Sequence, residues 1–126
     1  GLTALDLQMN ALTSVPTDIG ALTGLTDQGL YLNSNAITSL PTEIGALTGL
    51  TFLSLSDNNI ASVPTEVGAL TGLTALDLQM NALTSVPTDI GALTGLTDQG
   101  LYLNSNAITS LPTEIGALTG LTALSL

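Results

Sequence analysis

Apolar residues recur along this chain in a rhythm that changes twice within each short unit. Around Leu5 and Leu7 the pattern alternates, with Ala4, Asp6 and Gln8 on the opposite side. Period two predicts a short strand with one buried face. Further along, Val15, Ile19 and Leu22 are spaced four and three apart, which suits one or two helical turns. Pro16 is suited to the first helical position, where its missing N–H costs nothing. Asp18 would then lie near the positive end of the helix dipole. Gly24 is suited to stop the turn in a left-handed conformation. A strand, a corner, a helical turn and a return loop in about 24 residues predict one coil of a solenoid.

The unit repeats. Copies begin at about Leu2, Leu25, Leu50, Leu73 and Leu96, with a partial one from Leu121. At a larger scale, residues 1–55 recur as 72–126 with one difference, Phe52 against Ala123, an offset of 71. The whole of 1–126 therefore reads as a single array. Stacking explains its columns, because one coil cannot bury its own leucines and each set shelters against the next. Asn10, Asn35, Asn58, Asn81 and Asn106 stand where each chain leaves its strand. A buried amide there is expected to satisfy backbone groups of neighbouring coils as a structural ladder. The chain starts at Gly1 on a repeat boundary and stops inside a strand. Since solenoid ends need polar caps, a fragment of a longer array is expected.

The block L-x-x-L-x-L-x-x-N stands intact as Leu2, Leu5, Leu7 and Asn10, and again from Leu50 and Leu73. Followed by Pro, Ile, Gly and Leu-Thr, it resembles the leucine-rich-repeat family over the whole chain. The likeness is to the subclass of plant intracellular Ras-group and Ras-suppressor-like proteins and of protist and bacterial arrays. The resemblance implies an α/β solenoid, a right-handed coil with a parallel sheet on the concave face and short helical turns on the convex one. It also implies recognition by the outward side of the strands, but a fold does not by itself assign a function.

Charge narrows the chemistry. There are no Lys, Arg or His residues and ten carboxylates, a net charge of −10. Such a surface repels phosphate backbones and anionic headgroups, which excludes nucleic acid and acidic membranes as natural partners. Apolar runs are far too short for a membrane-spanning helix. Absence of Cys removes disulfides and thiolate metal sites. Without a conventional base, amine nucleophile or phosphate clamp, no enzyme and no cofactor are expected. Asp6 and Asp77 are a poor carboxylate pair, because three coils at about 4.8 Å each hold them about 14 Å apart.

Candidate ligand contacts follow from the implied concave face. Its central column is Asp6, Tyr31, Ser54, Asp77 and Tyr102; beside it run Gln8, Asn33, Gln79 and Asn104, and Phe52 on the other flank. All three aromatics of the chain fall here, and an aromatic next to an amide or carboxylate is common hot-spot chemistry. Strand propensity alone also favours Tyr and Phe. The column Asp18, Glu43, Glu66, Asp89 and Glu114 complements helix dipoles and aids solubility, with loose cation binding as the alternative; no metal site is expected. Threonine columns led by Thr17 and Thr3 allow a minor ice-binding reading, although Thr also suits turns and strand edges. The two extra residues before strands two and five are most simply harmless length variation. Alternatively, Gly29 and Gly100 permit a bulge or tight turn, with Asp27 and Asp98 projecting beside Tyr31 and Tyr102.

The function expected is a non-enzymatic interaction module for a protein, peptide or glycan. The alternative is a structural spacer or filament-forming segment, associating end to end in an extracellular or surface assembly. The near-identical duplication favours that alternative, since a receptor for one irregular ligand usually needs diverse surfaces. An engineered consensus array is a third possibility, disfavoured by the missing caps and the single charge sign.

Overall fold

The computed structural model describes residues 1–26, 29–97 and 100–126. Five short strands, β1 (Leu5–Asp6), β2 (Leu30–Tyr31), β3 (Phe52–Ser54), β4 (Ala75–Asp77) and β5 (Leu101–Tyr102), form one parallel sheet in chain order. Each is followed by a 3-10 helix: η1 (Thr17–Ala21), η2 (Thr42–Ala46), η3 (Thr65–Ala69), η4 (Thr88–Ala92) and η5 (Thr113–Ala117). Helix packs on next helix and strand pairs with next strand, so the chain climbs one coil at a time.

Between the two layers lies a continuous apolar column. Leu30, Leu53, Leu76 and Leu101 lie in register across the sheet and point inward, with Leu32, Leu55, Leu78 and Leu103 two residues on. Ile44, Val67 and Ile90 close the column from the helices and are fully buried. Burying each such side chain contributes about 1.5–3 kcal/mol. In the outermost coils burial is weaker: Leu5, Leu7, Leu12 and Ile115 are only partly covered.

The helices differ in two ways from the reading of the sequence. Pro16 precedes the helix as its N-cap, in an extended conformation with φ −70° and ψ 154°, instead of occupying the first helical position. Its carbonyl accepts from Ile19 N–H, which closes the tight first turn. The helix then ends at Ala21, where Leu22 N–H donates to the Ile19 carbonyl, and Gly24 has no left-handed φ. Gly24 serves close approach: a Cβ there would lie 2.9 Å from the Leu2 carbonyl oxygen. Coil pitch, not chain reversal, requires this glycine.

The left-handed position falls elsewhere. Met9, Ser34, Asp57, Met80 and Ser105 have φ between 55° and 59°, one in each coil, immediately before the asparagine. An L-residue there costs roughly 1–2 kcal/mol. The bend turns the chain off the strand and delivers the asparagine side chain inward. Asn58 Nδ2 donates to the carbonyls of Leu32, Leu55 and Ser56, and its Oδ1 accepts from Ile37 N–H. Asn35, Asn81 and Asn106 bridge coils in the same way. Asn58 is the most deeply set, at 8% exposure, while Asn10 is exposed and bonds only the carbonyls of its own coil.

Candidate functional site

Parallel pairing without slippage builds the outward face of the sheet. Asp6 lies opposite Tyr31, Tyr31 opposite Ser54, Ser54 opposite Asp77, and Asp77 opposite Tyr102, with a further bridge from Tyr102 to Ser125. The side chains flanking this line are tied together by hydrogen bonds. Gln8 donates to Asp6 through its backbone N–H and through Nε2, each at 3.1 Å. Asn33 Nδ2 donates to Gln8 Oε1 at 3.2 Å, and Ser54 Oγ donates to Asn33 Oδ1 at 3.2 Å. Every donor in this chain points toward the Asp6 carboxylate. The second copy repeats the arrangement, Asn104 donating to Gln79 and Gln79 to Asp77.

An aromatic pair stands beside this polar band. The rings of Tyr31 and Phe52 are tilted by 43° with centroids 5.3 Å apart. Gly29 makes room for the pair: its φ is 77°, and a Cβ would come 2.9 Å from the Phe52 carbonyl oxygen and 3.2 Å from Phe52 Cβ. Gly29 N–H donates to the Thr26 carbonyl, and Gly100 N–H to that of Thr97, immediately before each strand. Gly100 has no positive φ; a Cβ there would collide with the Thr74 carbonyl oxygen. Asp27 and Asp98, expected beside the tyrosines, lie outside the described residues. Among the described residues neither tyrosine hydroxyl has a hydrogen-bond partner, which leaves both free for an external group.

The structure thus brings Asp6, Gln8, Tyr31, Asn33, Phe52 and Ser54 into one patch, and Asp77, Gln79, Tyr102 and Asn104 into a second. Ser54 is only 5% exposed and its hydroxyl is committed to Asn33, so it supports the patch from beneath. Asp6 and Asp77 remain three strand steps apart. On the helical side, Thr42, Thr65, Thr88 and Thr113 each donate to the carboxylate that follows, Glu43, Glu66, Asp89 and Glu114. That column, with Asp18, runs along one exposed edge. Among the described residues no three Asp or Glu side chains converge on a common point. Two residues escaped sequence reasoning. Met9 and Met80 are 77% and 54% exposed at the rim of the sheet, and their only signal was an apolar residue where the other coils carry Ser or Asp.

Stacked coils of one short strand and one 3-10 helix, joined through a single parallel sheet, define a repeat solenoid. The pattern of the leucine-rich repeat region matches residues 42–126, and that of the leucine rich repeat matches 1–60. The chain belongs to the leucine-rich-repeat family, and its parallel sheet lines the concave face of that fold. Members of this family are commonly protein-interaction modules. It is similar to a leucine-rich-repeat protein of Leptospira interrogans, at 35% identity and a TM-score of 0.86 over 98% of this chain and 31% of that one. It is also similar to internalin C2 of Listeria monocytogenes, at 25% identity and a TM-score of 0.78 over 97% of this chain and 51% of that one. The ectodomain of an Arabidopsis thaliana receptor kinase shares the fold at 23% identity, with a TM-score of 0.79 over 97% of this chain and 67% of that one. The chain thus spans about a third of the leptospiral protein and about half of the internalin. No curated protein matches it. No helix among the described residues is long and apolar enough to cross a membrane.

Proposed function

We propose that this chain is a non-enzymatic recognition module whose concave sheet holds a protein, peptide or glycan ligand. The observation that carries the reading is the contact of Tyr31 with Phe52 at 5.3 Å, set beside a row of mutually bonded Asp, Gln and Asn side chains. Aromatic rings held in place lose little entropy on binding and offer a large contact area. Amides already oriented by their neighbours supply directional donors and acceptors. The inventory of the chain favours binding over catalysis, because no His, Lys, Arg or Cys is available to move a proton or attack a substrate.

The test compares the whole chain with its Tyr31→Ala, Tyr102→Ala double variant on a synthetic peptide library and a glycan array. Ligands captured by the parent should be lost by the variant, with circular dichroism unchanged. Capture that persists undiminished in the double variant overturns the concave-face assignment.

A further inference from the structure

We infer that the concave face takes an extended basic peptide carrying arginines four positions apart, one for each Asp–Tyr pair. The inference rests on the concave-face reading and adds the chemistry and spacing of the ligand. Three observations carry it.

Charge is the first. The chain holds ten carboxylates and no basic side chain, so nothing of its own competes for Asp6 or Asp77. A partner with complementary charge must bring the cations.

Local geometry is the second. Asp6 stands directly opposite Tyr31, and Asp77 directly opposite Tyr102. Each carboxylate is held in place by two donors from the glutamine beside it, one per oxygen. A carboxylate oxygen has two lone pairs, so each retains one for an incoming fork of N–H groups. A guanidinium can stack on the tyrosine ring while pairing with the carboxylate, which an ammonium does less well.

Spacing is the third. The two pairs are related by the 71-residue duplication and by three strand steps in unbroken register. At about 4.8 Å per step, equivalent atoms are about 14 Å apart. An extended peptide advances about 3.4 Å per residue, so side chains four apart are separated by about 14 Å. Four is also even, so both project to the same side of the peptide. A spacing of three misses both the distance and the side.

The two sites differ in one respect. Phe52 flanks Tyr31, whereas Ala123 occupies the corresponding position beside Tyr102. The first site is therefore the stronger of the two. The duplication also supplies a built-in control, because Phe52→Ala installs a residue this same coil already carries in its other copy.

The experiment measures binding of two synthetic Ser/Thr peptides of identical composition, with two arginines placed either four or three apart. With both sites engaged, the four-apart peptide should bind the whole chain at least about 10-fold tighter. That advantage should vanish in Asp77→Asn and persist in Asp18→Asn, which removes a charge from the other face. Phe52→Ala should weaken the four-apart peptide by about 3- to 30-fold without changing circular dichroism. Equal binding of the two peptides, or an advantage that survives Asp6→Asn combined with Asp77→Asn, overturns the inference as mere charge attraction. Glycans captured on the array in a Tyr31-dependent way, with neither peptide bound, overturn it and leave the concave-face reading standing. Arginine peptides bound equally well by the Tyr31→Ala, Tyr102→Ala variant overturn both.

Discussion

Asn35, Asn58, Asn81 and Asn106 each tie one coil to the preceding one through side-chain hydrogen bonds to its backbone. Asn58 satisfies three carbonyls and one N–H, and two of those four groups belong to the preceding coil. Asn58→Ala should lower the unfolding free energy by about 1–3 kcal/mol, because it orphans buried backbone groups. Asn10→Ala should cost clearly less, since Asn10 is exposed and bonds only its own coil. Urea titrations of the two variants check the ordering; equal losses would mean that burial does not set the value of this amide. The asparagine column was legible as a column in the repeat. Its partners were not, because the Leu32 carbonyl lies 26 positions from Asn58 and nothing local marks it as an acceptor.

Among the elements, the 3-10 helices show how closely the coils are stacked. A Cβ at Gly68 would sit 2.8 Å from both Cβ and the carbonyl oxygen of Asp89 in the next helix. Gly68→Ala must therefore push η3 from η4, and a loss of about 1–3 kcal/mol is expected, as for other overpacked sites. Gly116 occupies the same place in η5 and has nothing within 4 Å of its would-be Cβ. Gly116→Ala should be neutral or stabilise by up to about 1 kcal/mol, through helix propensity and a less flexible unfolded chain. Thermal melts of the pair decide the matter, and similar shifts would show that crowding between helices is not what selects glycine. A glycine at this place in every repeat carries no local signal of its use. Its actual use, spacing between coils, depends on a neighbour 21 residues away or more.

For the whole molecule, the uncompensated charge is the dominant fact. The Asp18–Glu114 column and the carboxylates of the sheet share one sign, and no basic side chain offsets them. Compaction brings these charges together and unfolding separates them, so repulsion works against the folded state. Raising the ionic strength from 0.01 to 0.15 M shortens the screening length from about 30 Å to about 8 Å. The melting temperature should rise over that range, with NaCl and KCl acting alike because general screening is responsible. A melting temperature that falls or stays level would remove self-repulsion from the account.

Periodicity sufficed for the coil and the inward leucines, and the family resemblance implied the outward column from Asp6 to Tyr102. Alternation within a strand is a local property, and close repetition leaves stacking as the natural way to hide the apolar side. Whether neighbouring coils meet in register, how near they come, and which side chains then touch are decided between residues far apart in the chain. The ring contact of Tyr31 with Phe52, the donor chain ending on Asp6 and the crowding at Gly68 all arise only once one coil rests on another.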